Sequence, residues 1–369
     1  MKSTYYQVLT RVTGSVLAVV IAVGMIAGCA SPTKSQKAKG PKYIFFPPAP
    51  DEPRVQFLTS FATERDLHNQ SHDSFMTFLT GQQPVILPIG KPYGGYAGGG
   101  KIYVCDSDAG AVLKLDLVAR KMGVVKPDAP GAIQSPLNMA VDANGWIYVV
   151  DMARQQLVIL DTNENFMAMV GQKGKTKPMD VALTRDRIYL SDVDAHCVHV
   201  LDKATRTNLF DIPRPEDVTN IQRRLFQPIN LALDAQGHVI VSDLGASRVQ
   251  IYDADGKYIR SFGEHGNNLG DFTRNKGVAA DRDGIIYVVD AAFQNVQMFD
   301  ENGRLLMAFG GPQVDQASMQ LPAKVLMDYD DVPLFQKYAA PGFQVEHLII
   351  VMNQFGPNKV AVYGFGHKK

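Results

Sequence analysis

At five points along the chain an aspartate closes a short apolar run, and a second aspartate follows ten residues later: Asp106 and Asp116, Asp151 and Asp161, Asp192 and Asp202, Asp243 and Asp253, Asp290 and Asp300. The runs read Ile102-Tyr-Val-Cys, Trp146-Ile-Tyr-Val-Val, Ile188-Tyr-Leu-Ser, Val239-Ile-Val-Ser and Ile286-Tyr-Val-Val. Each is rich in β-branched and aromatic residues, the composition of a strand rather than a helix. The first aspartates stand 45, 41, 51 and 47 residues apart. A period of that size with several strands per unit predicts an all-β propeller with four-stranded antiparallel blades.

A sixth unit is degenerate. Its apolar run is His347-Leu-Ile-Ile-Val-Met, with Asn353 where the aspartate would stand and Tyr363 at the tenth position after it. The chain stops at Lys369, too soon for a fourth strand in that unit. Near the start, Arg54-Val-Gln-Phe-Leu-Thr-Ser-Phe61 has the shape of the fourth-unit strand Tyr258-Ile-Arg-Ser-Phe262. Residues 54–61 are therefore expected to supply the outermost strand of the last blade and so remove a free sheet edge. Before each apolar run lies an inner-strand string, such as Pro136-Leu-Asn-Met-Ala-Val-Asp142 and Pro228-Ile-Asn-Leu-Ala-Leu-Asp234. Small residues suit strands that converge on an axis. The glycine-rich Gly95-Tyr-Ala-Gly-Gly-Gly-Lys101 has the spacing of a phosphate loop but lacks the Ser or Thr that would hold magnesium, and reads better as an inner strand and its turn.

With the proline-led inner strand, the Tyr-Val-x-Asp strand and strings such as Ser247-Arg-Val-Gln-Ile-Tyr-Asp253 and Asn295-Val-Gln-Met-Phe-Asp300 in view, the units resemble NHL repeats. The resemblance implies a six-bladed propeller over 54–369 and, as NHL domains generally serve, a binding platform rather than a particular reaction.

The ends place the protein. Lys2 and Arg11 precede an almost wholly apolar stretch from Val12 to Gly28, and Ile26-Ala-Gly-Cys29 resembles the lipobox of bacterial lipoproteins. Residues 1–28 then form a signal peptide, Cys29 carries the lipid, and 29–53 are a Pro-rich tether reaching up to roughly 70 Å. No aspartate follows the cysteine, which by resemblance to enterobacterial sorting favours the outer membrane. Removing residues 1–28 leaves 35 basic against 37 acidic residues, a net charge of −2, so no nucleic acid or anionic lipid surface is attracted strongly; the membrane is reached through the lipid alone. Cys105 and Cys197 fall in different units and no Cys-x-x-Cys-His occurs, which excludes a disulfide framework and a c-type haem.

Function is expected where the repetition breaks. The long connections Phe210 to Gln227 and Gly311 to Leu321 share one face with the turns after the first aspartates, placing Arg154, His196, Arg223, Arg224, Arg248 and Phe293 on a binding face for an envelope protein or protein complex. The insertion 328–342 lies on the opposite face, where its acids and aromatics offer a second contact surface or simply pack locally. The recurrent aspartates are read as turn-binding groups. On the axis, Asn138, Asp180 and Asn230 hold equivalent places and could present oxygens to calcium, but the remaining equivalents are Gly94, Gly277 and Lys324, and a lysine is a poor neighbour for an ion. No other cofactor is expected. Cys197 and His199 share a strand face while His196 points away. Three readings follow: a non-enzymatic scaffold, a metal-dependent hydrolase or lyase with a channel-mouth site, and an accessory subunit of an envelope redox or secretion complex.

Overall fold

The computed structural model describes residues 43–68 and 86–369; the expected signal segment, Cys29 and the expected tether as far as residue 42 lie outside them. The described residues form a six-bladed β-propeller of antiparallel sheets. Blade one contains β3–β6 (Pro92–Gly98, Lys101–Asp106, Ala111–Asp116, Lys121–Val124), and blade two β7–β10 (Pro136–Val141, Ile147–Asp151, Gln156–Leu160, Phe166–Val170). Blade three contains β11–β14 (Pro178–Leu183, Arg187–Asp192, Cys197–Asp202, Asn208–Ile212), and blade four β15–β18 (Pro228–Leu233, Val239–Asp243, Arg248–Tyr252, Tyr258–Phe262). Blade five contains β19–β22 (Asn275–Ala280, Ile286–Asp290, Asn295–Phe299, Leu305–Gly310). Among the described residues no helix is long and apolar enough to cross a membrane.

The last blade is closed as the sequence suggests: β23 (Pro322–Asp328), β24 (Phe343–Asn353) and β25 (Val360–Lys368) are completed by β2 (Val55–Phe61), which pairs with β25. Beyond it lies a fifth strand, β1 (Ile44–Phe46), paired with β2. The tether as drawn from composition is thus too long at its C-terminal end. Phe46 is buried against the rings of Phe309 and Tyr363, and Phe45 stacks edge-on with Phe343 at 5.4 Å. Apolar packing overrides the proline-rich composition that suggested a free linker.

Apolar residues gather into six clusters, each made by the facing sheets of two neighbouring blades, as where Tyr148, Val150 and Leu157 of blade two meet Ile188 and Leu190 of blade three. Blade strands are covered on both faces, which is why the second strands read as continuous apolar runs rather than alternating ones. Tyr363 proves to be the counterpart of Tyr252 rather than of Asp253: it lies opposite Ile349 as Tyr252 lies opposite Val239. The turn before β25 is one residue longer than its equivalents, which displaces the ten-residue spacing.

The first aspartates join neighbouring loops. Asp290 accepts from the backbone N–H of Thr273 (2.8 Å) and Arg274 (3.0 Å) before its blade's first strand, and of Ala292 (2.8 Å) and Phe293 (3.0 Å) just after itself. Asp106 and Asp151 do the same with Gly90, Lys91, Asp108 and Ala109, and with Gln134, Ser135, Ala153 and Arg154. The second aspartates cap the next hairpin, Asp253 accepting from Asp255 and Lys257.

Candidate functional site

Two places bring unlike chemistry together, the axis and a cleft on the loop-rich face. At the axis every first strand is interrupted just after its opening residue by a register shift, as between Pro178 and Asp180 or Pro228 and Asn230. Such bulges re-aim side chains, and periodicity alone does not reveal them. The Lys324 ammonium meets Asp180 Oδ2 and donates to Asn230 Oδ1 at 3.1 Å. Asp180 also accepts from the backbone N–H of Leu231 at 3.0 Å and of Val181 at 2.9 Å. Burial pushes the Asp180 carboxyl above its ordinary range, and the lysine and these donors offset that rise only in part. Asn138 does not join them; it donates to the Met179 carbonyl at 2.8 Å. The glycines at the equivalent places have a steric cause: a Cβ on Gly94 would lie 1.8 Å from Asn138 Oδ1, and one on Gly277 would lie 2.6 Å from Lys324 Cα.

The cleft lies between blades three and four, about 810 Å³, lined by His196, Cys197, His199, Phe210, Asp211, Arg214, Arg224 and Phe226 together with Pro213, Pro215, Val218, Thr219 and Leu225. The connection 213–227 forms its outer wall. Arg248, expected on the binding face, is instead only 8% exposed and holds this connection from below, its Nη2 donating to the Arg224 carbonyl at 2.8 Å. Gln250 Nε2 reaches the same carbonyl at 2.9 Å, and Tyr252 Oη donates to the Arg223 carbonyl at 2.9 Å. Arg223 pairs with Asp217 at 2.8 Å outside the cleft. His196 occupies the left-handed turn position (φ 55°) and its Nδ1 meets the Phe226 carbonyl. Arg154 is folded onto the Ala132 carbonyl, between blades one and two, and Phe293 stays half-buried beside blade five. Of the six residues expected on this face, then, His196 and Arg224 line the cleft.

Two further arginine contacts shape its rim: the Arg214 guanidinium lies 4.1 Å from the Phe210 ring centre and that of Arg224 lies 4.7 Å from Phe226. Neither has a carboxylate partner among the described residues. Val218, which also lines the cleft, is 47% exposed. On the floor, His199 Nδ1 lies 2.8 Å from Asp211 Oδ1 and its Nε2 lies 3.6 Å from Asp192 Oδ2. Asp192, then the Cys197 thiol and Asp211, hold the imidazole well above its usual range against the effect of burial. Burial pushes the Cys197 thiol up. The sequence marked Cys197 and His199 as sharing a face but missed Asp211, because only strand pairing sets it opposite His199.

The opposite-face insertion packs down rather than standing free. Its Val332–Phe335 turn buries Phe335 against Phe61, and the Gln56 side chain binds the Tyr338 carbonyl and the Ala340 N–H. Tyr338 remains 39% exposed.

No protein-family profile matches the chain, and no curated protein matches its sequence. Solved structures do share its architecture. One is a protein of unknown function from Bacteroides thetaiotaomicron, 16% identical with a TM-score of 0.55 over 75% of this chain and 70% of that one. A gluconolactonase from Xanthomonas campestris is 15% identical with a TM-score of 0.53, over 88% and 98% of the two chains. A streptogramin B lyase is 13% identical with a TM-score of 0.51, over 76% and 84%. At these identities the likeness carries the fold alone.

Proposed function

We propose that this protein is a non-enzymatic binding scaffold of the bacterial cell envelope: an NHL-like propeller, lipid-anchored through Cys29 at the outer membrane, that takes an acidic and partly apolar segment of another envelope protein in the cleft between blades three and four. The observation that carries the reading is the cleft itself, whose rim sets two arginines without carboxylate partners beside exposed Val218. Arginine stacked on an aromatic ring keeps its in-plane donors free for a carboxylate. Apolar neighbours supply area at the centre of such contacts, where aromatic and arginine anchors carry most of the binding energy.

The enzymatic reading, to which a gluconolactonase and a lyase of the same architecture lend weight, would place an ion at the axial oxygens. Against it, the cationic charge that Asp180 and Asn230 call for is supplied by Lys324 from the opposite blade. The test is recovery of partners from membranes with a tagged full-length chain, solubilised intact, beside the Arg214→Glu, Arg224→Glu variant. A partner enriched by the wild type and lost at least tenfold by the charge-reversed protein supports the scaffold. Equal recovery by both, or a stoichiometric divalent ion that disappears with Asp180→Asn, overturns it. Lipid anchoring is checked separately: Cys29→Ser should abolish fatty-acid labelling and release the protein from membranes.

A further inference from the structure

The floor of the cleft carries a second chemistry. Cys197 and His199 are two residues apart on β13 and so fall on one face, and Asp211 stands directly opposite His199 on β14. Cys197 Sγ lies 3.7 Å from His199 Nδ1, which lies 2.8 Å from Asp211 Oδ1, and all three donor atoms are within 4.8 Å of one another. Sulfur, nitrogen and oxygen ligands of a tetrahedral ion at about 2.0–2.3 Å are separated from one another by roughly 3.3–3.8 Å. The sulfur–nitrogen edge already has that length, but Sγ lies as near to Nε2 (3.8 Å), so the thiol has to rotate to the Nδ1 side, and the nitrogen–oxygen edge has to open by about half an ångström. Behind the imidazole, Asp192 Oδ2 lies 3.6 Å from Nε2. A carboxylate on the far nitrogen is the partner that orients a ligating histidine and fixes which nitrogen is left to bind. Asp192 is itself held at 1% exposure by the N–H groups of Lys177, Asp194 and Ala195, so it gives the ring a fixed support.

We propose that Cys197 Sγ, His199 Nδ1 and Asp211 hold one divalent ion of the zinc class, with its fourth position open to the cleft. The thiolate and imidazole donors select zinc or cobalt over calcium and magnesium, which take oxygen ligands. On binding, the thiol and the Nδ1 position give their protons to solvent. The inference does not depend on what docks at the rim, since its three ligands are distinct from Arg214 and Arg224.

The test is titration of the reduced full-length chain with Co2+ and then with Zn2+, followed by absorption. One Co2+ per chain should bring a thiolate-to-cobalt charge-transfer band in the near ultraviolet, and one Zn2+ should displace it. Cys197→Ser should remove the band and His199→Gln should weaken binding at least tenfold, with far-ultraviolet dichroism and melting showing that both variants remain folded. Cys29 and Cys105 are retained in both. Absence of the band in the wild type, or a band that survives Cys197→Ser, overturns the site and leaves His199 as an imidazolium bridging two carboxylates. Because the partner assay reads Arg214 and Arg224 and this one reads Cys197, either proposal can fail without the other.

Discussion

An aspartate serves at the end of each second strand because it has two oxygens that only accept, each with room for two N–H donors. Asp290 uses both, one toward the preceding blade connection and one toward its own turn. Asparagine has a single accepting oxygen, so blade six is wired differently: Asn353 turns its Nδ2 to the Asn358 carbonyl at 2.7 Å, and its turn is one residue longer. Acids elsewhere are under the opposite pressure. Burial, then the charge of Asp331, push the Asp328 carboxyl up to about 7. The folded protein therefore binds more protons than the unfolded chain between about pH 4 and 7, and stability contributed here falls as pH rises through that window. Asp331→Asn removes the like charge while keeping an oxygen for the Gly100 N–H, which Asp331 Oδ1 now binds at 2.7 Å. The variant should melt about 2 °C higher than the wild type at pH 8 and close to it at pH 5, a difference read by thermal unfolding at the two values.

Elements were legible in the sequence wherever burial on both faces forces an apolar run, which holds for the second strand of every blade. Closure by Val55–Phe61 was legible for a related reason, as its pattern repeats that of other outer strands. Fourth strands are more exposed and less patterned, as Asn208–Ile212 illustrates, so Asp211 could not be placed opposite His199 from the sequence. Ile44–Phe46 was hidden differently: three residues among prolines give no periodicity, and only the rings they meet in blades five and six reveal them. This strand gives a direct test of where the tether ends. Phe46→Ala should destabilise the propeller by about 3 kcal/mol in urea unfolding, the usual cost of truncating a buried aromatic. A tether that ran to residue 53 would show no change.

A ring of repeats is held mainly by contacts between neighbours, so a bond across the axis has a role that none of the interblade clusters has. Asp180 comes from blade three and Lys324 from blade six, which stand opposite one another in a ring of six. The sequence showed that these two positions were equivalent and that a lysine suited an ion badly; it did not show that the lysine itself would be the cation, because that depends on the bulge that turns each first strand at its second residue. Lys324→Met leaves the Asp180 carboxylate buried with only backbone donors, and breaking a buried pair from one side costs about 3–5 kcal/mol. Replacing both partners, Asp180→Asn with Lys324→Met, removes the uncompensated charge and should recover most of that loss. Urea unfolding of the two single variants and the double variant measures the coupling, and a double-variant loss equal to the sum of the two single losses would show that the pair does not tie the ring across its centre.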